Sequence, residues 1–266
     1  MRKSLFIIAD IHLMESNANI TEGFLLFLAK VKKEGSALYI LGDLFDAWLG
    51  DDMLSDYQKE IAEQLLELSQ IIPCYFIAGN RDFLLGEDFA KKAGFKRIKK
   101  ESILLAYNHK KYVLMHGDTL CTDDIPYQKY RKCVNNPLVQ LFYRHLPKYV
   151  KYRLAKHLRE RSKATNQKKS QAIMDVNQQA VELLAEKDKI DYLIHGHTHR
   201  PNLHKISLPT NHLAYRMVLG DWEQKGWYIQ IDEIPQLIQF TWGNKTITPL
   251  KVLSEATLFP DFIKRE

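Results

Sequence analysis

The sequence predicts an α/β protein with two mixed β-sheets, flanking helices and one helical insertion. Three observations lead to this fold class. In the first half of the chain, short runs rich in β-branched and aromatic residues alternate with amphipathic segments. Short apolar runs return in the last third. Between these two regions lies a long polar segment that prolines interrupt, which is typical of several consecutive helices.

The first half predicts three strands and two helices. In order they are a strand at 4–9, a helix at 20–33, a strand at 37–41, a helix at 57–68 and a strand at 74–78. Apolar residues recur at helical spacing in both helices. Asn19 and Glu22 are placed as the cap and the first-turn acid of the first helix. Strands that alternate with helices indicate a mainly parallel sheet.

The remaining elements are a hairpin, the insertion and a group of late strands. The hairpin spans 103–114 around Asn108-His109-Lys110, and the insertion runs from Ile125 to about Glu186. Pro126, Pro137 and Pro147 break the insertion into helices. Late strands are predicted at 192–194, 216–219, 227–231 and 236–242, and we expect a second, more antiparallel sheet there.

The length of the chain allows one large domain or two small ones, and the cysteines suit an intracellular protein. We expect a single domain over all 266 residues, with a basic helical cap at about 125–170 and a C-terminal extension at about 243–266. Leu250, Val252, Leu253, Leu258 and Phe259 of that extension are expected to pack on the body. No run approaches the ~20 apolar residues of a transmembrane helix. The start, MRKSLFIIADIHL, lacks a small-residue cleavage site and is interpreted as a first strand. The three cysteines share no metal-type spacing, which suits the cytoplasm.

Polar groups follow five of the predicted strands. In order they are Asp10-Ile11-His12, Gly42-Asp43-Leu44-Phe45-Asp46, Gly79-Asn80-Arg81-Asp82, His116-Gly117-Asp118 and Gly196-His197-Thr198-His199. Any one of them is weak evidence, because such residues are common in turns. Ligand sites in open α/β sheets gather beyond the carboxyl ends of strands, so five groups at that point indicate one site.

The side chains of these groups predict a metal centre. The expected ligands are Asp10, His12, Asp43, Asn80, His116, His197 and His199. Seven ligands exceed what one tetrahedral ion takes, so two ions are predicted, with Asp43 as the bridge. Oxygen and nitrogen ligands without sulfur favour Mn²⁺, with Fe²⁺ or Zn²⁺ as alternatives. Two such ions activate a bound water for attack at phosphorus.

The stretch HGHTHRP at 195–201 contains three of the histidines. Alternate residues at a strand end point to the same face, so we expect His197 and His199 to enter one cleft. His195 lies further back in the strand and is expected to support the ligands or to belong to the core.

The five groups, in this order, resemble the motifs of the calcineurin-like metallophosphoesterases. Longer blocks over residues 4–240 resemble the UDP-2,3-diacylglucosamine pyrophosphatases of lipid A synthesis, the LpxH family. The blocks are LYILGDLFDAWLGDD (38–52), PCYFIAGNRDFLLG (73–86), MHGDTLCTDD (115–124), AIMDVNQ (172–178) and LIHGHTHRP (193–201). The resemblance implies a sandwich of two mixed sheets with a helical cap. It also implies cleavage of the diphosphate to UMP and 2,3-diacylglucosamine 1-phosphate.

Arg81 departs from the broad superfamily, where a histidine that serves as general acid often follows Gly-Asn. Arginine is a poor proton donor near neutral pH but clamps phosphate oxygens well. A phosphate-type leaving group needs little protonation, so Arg81 fits diphosphate cleavage. We therefore expect Asp43, Asn80 and Arg81 to be catalytic. The alternative is a surface arginine paired with Asp82.

The insertion carries the basic excess of the whole chain. Residues 129–169 contain thirteen Lys or Arg and one acidic residue, whereas the whole chain has a net charge of +6. The charges alternate with bulky apolar side chains, which leaves three interpretations open: a solvated face, a nucleic-acid surface or a lipid-facing cap. The resemblance favours a cap that holds acyl chains and docks on the membrane.

The resemblance also implies substrate contacts in and near the cap. These contacts are Asp124, Ser162, Asn166 and Lys169, beside Asn80, Arg81 and His197. Ser162, Asn166 and Lys169 recur at spacings of four and three, so one helical face presents all three. An ordinary polar helix face is the alternative.

The predicted partners are the acylated UDP-sugar and, through the cap, the cytoplasmic face of the inner membrane. No nucleic acid and no obligate protein partner is expected. Two rival functions remain: another phosphodiesterase such as a nuclease, and a membrane-binding module on an inactive phosphoesterase fold. The seven filled ligand positions argue against the second.

Overall fold

Twelve strands form two sheets in the computed structural model, which describes residues 3–166, 175–209 and 212–258. The strands are β1 (Ser4–Ile8), β2 (Gly35–Ile40), β3 (Cys74–Ile77), β4 (Lys96–Ile98), β5 (Ser102–Tyr107), β6 (Lys110–Met115), β7 (Tyr192–His195), β8 (Asn202–Ser207), β9 (Leu213–Val218), β10 (Gly226–Ile231), β11 (Pro235–Gly243) and β12 (Thr246–Leu253). The helices are α1 (Ala18–Glu34), α2 (Asp56–Ser69), α3 (Glu87–Ala93), α4 (Ile125–Val134), α5 (Pro137–Arg144), α6 (Lys148–Asn166), α7 (Gln178–Asp188) and α8 (Glu255–Leu258).

Both sheets are mixed, as the sequence predicts. The first has the order β12-β11-β10-β1-β2-β3-β4, with β1 to β4 parallel and β10 antiparallel to β1. The second has the order β5-β6-β7-β9-β8, with β6, β7 and β9 parallel. Of the late strands expected in a second, more antiparallel sheet, β7 and β9 lie in the second sheet, where they are parallel, but the others do not. The late strands β10 to β12 extend the first sheet instead, where β10 supplies hydrogen-bond partners to the free edge of the buried strand β1.

The two sheets pack face to face between layers of helices. Along β1, Phe6 and Ile8 face the core under α1 to α3, whereas Leu5 and Ile7 face the core between the sheets. A third core lies between the second sheet and α7 and includes Val181. Burial on both faces explains why β1 is apolar throughout and does not alternate.

Helix α1 begins earlier than predicted. Asn17 is its cap, since the side chain of Asn17 accepts a hydrogen bond from the Ile20 amide, and no acid occupies the first turn. The assignments of Asn19 as cap and Glu22 as first-turn acid are therefore wrong. The Asn19 side chain instead accepts a hydrogen bond from the indole N–H of Trp242, which lies far away in the sequence.

In its described residues the insertion is helical and is broken at its prolines, as predicted. Pro126 lies in the first turn of α4, Pro137 begins α5, and Pro147 immediately precedes α6. Helix α7, which the prediction included in the insertion, packs on the second sheet instead. In the described residues no helix combines the length and the apolar character that crossing a membrane requires.

The C-terminal extension adds the edge strand β12 to the first sheet. Asn244 and Lys245 have positive φ in the tight turn that joins it to β11. Leu253 is buried, but Leu250 and Val252 are 48% and 39% exposed, so the packing predicted for these two is wrong. Both lie on an edge strand, which has a neighbouring strand on one side alone. The predicted packing of Phe259 lies outside the described residues, as does that of the Leu258 side chain.

Candidate metal centre

The loops after β1, β2, β3, β6 and β7 meet at one edge of the sandwich. Backbone hydrogen bonds join them: the Asp10 amide donates to the Gly42 carbonyl (3.1 Å) and the His12 amide to the Asp43 carbonyl (3.0 Å). Across the sandwich, the Gly196 amide donates to the His116 carbonyl (2.9 Å). The convergence that strand order predicted therefore occurs, and all seven predicted ligands lie in this region.

Five of the seven candidate ligands adopt left-handed backbone conformations. The φ angles are 55° at Asp10, 54° at His12, 53° at Asp43, 65° at His197 and 54° at His199. A side chain at positive φ costs energy, and surrounding structure has to hold it there. Such strain concentrated at the candidate ligands supports a functional site at this point.

Two motif glycines permit the carboxylates to lie against the backbone. A Cβ atom on Gly79 would lie 2.2 Å from Asp43 Oδ1, and one on Gly196 would lie 2.0 Å from Asp10 Oδ2. Any side chain at either position would displace a candidate metal ligand. The glycines of Gly-Asn and Gly-His are therefore required by close approach.

One cluster consists of Asp10, His12 and His199. Their ligand atoms lie within 4.8 Å of one another. His12 Nε2 and His199 Nε2 are 3.3 Å apart, and His199 Nε2 lies 3.4 Å from Asp10 Oδ1. Two imidazole nitrogens and a carboxylate oxygen thus point to one position.

A second cluster adjoins it and contains Asp43, His116, Asn80 and His197. Asp10, Asp43 and His116 also offer ligand atoms within 4.8 Å of one another, so Asp10 belongs to both clusters. Asn80 Oδ1 lies 3.0 Å from His116 Nε2 and 2.8 Å from His197 Nδ1. The other ring nitrogen of His116 donates to the Leu41 carbonyl, which directs Nε2 into the cleft.

The residues in these clusters fit a divalent metal ion. Asp10 Oδ1, one of the candidate ligand atoms, is buried without a hydrogen-bond partner, which is costly for a polar atom. Carboxylate, amide and imidazole donors without sulfur are the set that Mn²⁺, Fe²⁺ and Zn²⁺ accept. The site therefore has both the donors and an unsatisfied ligand atom, as expected of a metal centre.

The electrostatics of the cleft also favour the binding of a cation. Burial, with the carboxylates of Asp82 and Asp10 nearby, raises the pKa of Asp43 to about 7. Burial alone would lower the pKa of His116, but the Asp43 and Asp10 carboxylates outweigh it and raise the pKa to about 9. In contrast, burial lowers the pKa of both His12 and His197 to about 4. The buried carboxylates thus attract cations, and a divalent ion supplies the same charge.

Comparison with known proteins agrees with this geometry. The family model for calcineurin-like phosphoesterases matches residues 3–201. A UDP-2,3-diacylglucosamine hydrolase from Serratia proteamaculans (strain 568) is 47% identical over 88% of this chain and 97% of its own length. The enzyme of that name from Escherichia coli O7:K1 is 46% identical over the same shares. The chain belongs to the UDP-2,3-diacylglucosamine hydrolase family of calcineurin-like phosphoesterases.

A solved structure with a related chain path is that of a Vps29 single mutant from Entamoeba histolytica. It covers 94% of this chain and 98% of its own, at 14% identity and a TM-score of 0.49. The family itself consists of metal-dependent hydrolases, so this phosphoesterase is a hydrolase of that type.

The HGHTHRP stretch of this phosphoesterase contributes to both clusters. Strand β7 ends at His195, so His197 and His199 lie in the loop after it. The predicted alternation of side chains along a strand therefore does not explain why both enter the cleft. Each reaches the cleft through its own positive φ, His197 beside Asn80 and His199 beside His12. His195 is fully buried and bonds to the Gly196 carbonyl (2.8 Å), in agreement with a supporting position.

Asp82 joins two of the ligand loops and does not lie on the surface. Its Oδ1 accepts hydrogen bonds from the amides of Gly79 (2.8 Å) and Asp43 (3.2 Å), and its Oδ2 accepts one from Leu44 (2.8 Å). The side chain is fully buried. The alternative of a surface arginine paired with Asp82 therefore fails, because this carboxylate is occupied by backbone donors.

Arg81 lies beside the metal clusters. Its amide donates to Asp43 Oδ1 (2.8 Å). Together with burial, the positive charge of its guanidinium lowers the pKa of His12. Burial raises the pKa of Tyr130 in α4, and the Arg81 charge opposes that increase. A cavity of about 40 Å³ separates α4 from the loop that carries Asn80. The charge of Arg81 therefore acts on ionisable groups of both the metal clusters and the cap.

The predicted substrate contacts differ in where they lie. Asp124 is buried and caps α4 through a hydrogen bond from the Tyr127 amide. Ser162 and Asn166 belong to α6, but their side chains lie outside the described residues, as does the whole of Lys169. Asn80 and His197 are in contact with each other at the clusters.

The sequence analysis did not predict the contacts that Tyr127, Arg131 and Asp221 make at the site. Tyr127 and Arg131 of α4 both donate to Asp118 Oδ2, and the Tyr127 ring lies 5.8 Å from that of His197. This network connects the cap to the metal clusters. His199 Nδ1 lies 3.2 Å from Asp221 Oδ2. The signal for Asp221 was present, because Gly220-Asp221 follows β9 as Gly42-Asp43 follows β2.

Proposed function

We propose that this chain hydrolyses the diphosphate bond of UDP-2,3-diacylglucosamine to UMP and 2,3-diacylglucosamine 1-phosphate. The convergence of seven metal-capable side chains from five strand ends carries the proposal. Relatives that share 46–47% of residues over nearly their whole length bear the name of this activity. The proposal covers one catalytic domain that includes the helical cap and the C-terminal extension.

The proposed cofactor is a pair of Mn²⁺ ions. Asp10, His12, Asp43, Asn80, His116, His197 and His199 would hold them, with other divalent ions as alternatives. When bound, such ions lower the pKa of a coordinated water and stabilise negative charge on phosphoryl oxygens. The donor set and the unpaired Oδ1 of Asp10 support this assignment.

Arg81 supplies charge to the phosphate and Asn80 helps to position it. A guanidinium whose charge acts on both the cleft and the cap can clamp two phosphate oxygens at once. The expelled phosphate leaves as a stable anion, so no histidine acid is needed where Arg81 stands. In this proposal Asp43 is catalytic as a carboxylate of the second cluster, beside Asp10, and its buried side chain is ordered by a hydrogen bond from the Arg81 amide.

The cap recognises the acylated sugar. Asp124 at the start of α4, with Ser162, Asn166 and Lys169 further along, would contact the phosphosugar beside Asn80, Arg81 and His197. The Tyr127 and Arg131 contacts to Asp118 support a cap that is fixed above the clusters.

We also propose that the cap docks on the cytoplasmic face of the inner membrane. Large apolar side chains on it are open to solvent: Leu138 is 76% exposed, Phe142 70% and Tyr149 69%. They share the helices with the excess of Lys and Arg. Exposed apolar groups beside cations suit an interface of acyl chains and anionic headgroups. The proposal includes no nucleic acid and no obligate protein partner.

The test of the reaction is UMP release from UDP-2,3-diacylglucosamine by metal-stripped protein, before and after addition of Mn²⁺. A UDP-sugar without acyl chains is the control substrate. Release that depends on Mn²⁺ and on acylation supports the proposal, and Asp43→Ala should abolish it while the folded circular-dichroism spectrum is retained. Hydrolysis of single-stranded DNA without UMP release would favour the nuclease instead.

The membrane surface is tested by flotation with anionic vesicles. Phe142→Glu should weaken binding, because the charge opposes insertion of the exposed ring. Leu104→Glu is the matched control, since Leu104 is 54% exposed on β5 of the body. Equal loss in both variants, or in neither, would contradict docking through the cap.

A further inference from the structure

Asp221 lies at the carboxyl end of β9, outside the seven predicted ligands. Its Oδ2 is 3.2 Å from His199 Nδ1, whereas His199 Nε2 faces Asp10 Oδ1 and His12 Nε2. The imidazole of His199 thus spans two carboxylates, one inside the cluster and one behind it. Asp221 is not among the side chains that offer ligand atoms to either cluster.

The backbone around Asp221 is held in place. Trp222 is fully buried among aromatic rings, including those of Phe24 and Phe240, and its indole N–H donates to the Trp227 carbonyl (3.2 Å). On the other side, the Leu219 amide donates to the His195 carbonyl (2.8 Å). Both neighbours of the Gly220-Asp221 pair are therefore fixed, which gives the carboxylate a defined position.

We infer that Asp221 is a positioning residue for His199, an inference that rests on the proposed metal-dependent function. By accepting a hydrogen bond from Nδ1–H, Asp221 selects the tautomer whose Nε2 lone pair points at Asp10 and His12. Histidine ligands commonly receive such support from a carboxylate, which fixes the ring and makes the free nitrogen a better donor. His199 is about one-third exposed, so packing alone restrains its ring less than that of the buried His116.

The position of Asp221 makes its effect asymmetric. His199 belongs to the cluster with Asp10 and His12, whereas Asn80, His116 and His197 form the opposite side. Loss of the carboxylate should therefore weaken one of two Mn²⁺ sites and leave the other unchanged. Loss of such a partner typically lowers metal affinity ~10–100-fold.

The experiment measures Mn²⁺ binding to metal-free protein by electron paramagnetic resonance of the free ion, without substrate. Asp221→Ala should weaken one site by ~10–100-fold, and Asp221→Asn by less, because the amide oxygen still accepts from Nδ1. Glu223→Gln is the matched control, since Glu223 is an exposed carboxylate in the same loop. It should bind Mn²⁺ as the unsubstituted chain does.

Three results would overturn the inference. In the first, Asp221→Ala binds both ions with unchanged affinity. In the second, it weakens both sites equally and lowers the melting temperature of the metal-free protein, which indicates a general loss of structure. In the third, the unsubstituted chain binds neither Mn²⁺ nor, in equilibrium dialysis, Fe²⁺ or Zn²⁺, which removes the proposed function and the inference with it. The first two results leave the proposed function intact, so the failures are distinguishable.

Discussion

The Asp82→Asn variant should be strongly destabilised although the change is nearly isosteric. Asp82 Oδ1 accepts from the Gly79 and Asp43 amides, and Oδ2 accepts from Leu44. The amide of asparagine keeps one oxygen, which can accept from the Gly79 and Asp43 amides. Its NH₂ group then faces the Leu44 amide, which is also a donor. One buried N–H left unpaired costs about 1–3 kcal/mol, and loss of charge weakens the other two bonds by about 1 kcal/mol each. The free energy of unfolding should therefore fall by about 3–5 kcal/mol.

Urea unfolding of the metal-free protein measures this difference, followed by circular dichroism. Asp88→Asn is the matched control, because Asp88 is exposed in the first turn of α3 and its substitution should cost at most about 1 kcal/mol. Mn²⁺ affinity should fall as well, since Asp82 joins the loops that carry Asp43 and Asn80. A cost for Asp82→Asn no larger than that of the control would refute the argument. Unchanged Mn²⁺ affinity in a destabilised variant would refute the positioning role.

Two further predictions concern the cap and the thiols. Lys151 of α6 is buried and donates to both oxygens of the half-exposed Asp52, at 3.0 and 2.8 Å. Asp52→Asn should therefore lower the free energy of unfolding in urea by about 1–3 kcal/mol, because the buried ammonium of Lys151 cannot regain water. Lys151→Met should lower it by less, because the half-exposed Asp52 carboxylate can regain water. The reverse order of the two variants would contradict this argument. Burial raises the pKa of Cys74 and of Cys121 to about 12, so at pH 8 their thiolate fraction is on the order of 10⁻⁴. Ellman's reagent should modify the exposed Cys133 at once, at a rate that rises with pH, and should modify Cys74 and Cys121 on unfolding. A fast phase of modification that remains in Cys133→Ser would refute this prediction.

Most strands and helices could be predicted because their signals are local. Short runs of β-branched and aromatic residues located β1, β2 and β3, helical spacing located α1 and α2, and the prolines located the breaks between the cap helices. The short elements α3, β4 and β8 were missed, since three to seven residues contain too little periodicity to recognise. The cap of α1 was misplaced by two residues because Asn17 and Asn19 are equally good caps by composition, and Trp242 binds the second of them.

The pairing of strands could not be predicted from local signals. Strand β10 adds to the first sheet beside β1, more than two hundred residues earlier in the chain. This pairing depends on which strand edges remain free once the parallel strands have formed. Periodicity within a segment carries no information on that choice.

The sequence by itself determined the candidate ligands and the chemistry they favour. Each ligand follows a strand at short range, and parallel strands bring their carboxyl ends together whatever their order. Only the tertiary structure decided how the ligands are supported. Asp82 binds backbone amides from two loops, and Asp221 reaches His199 from β9. These contacts join segments that are distant in the chain, so they exist once the sheets have packed and cannot be seen before.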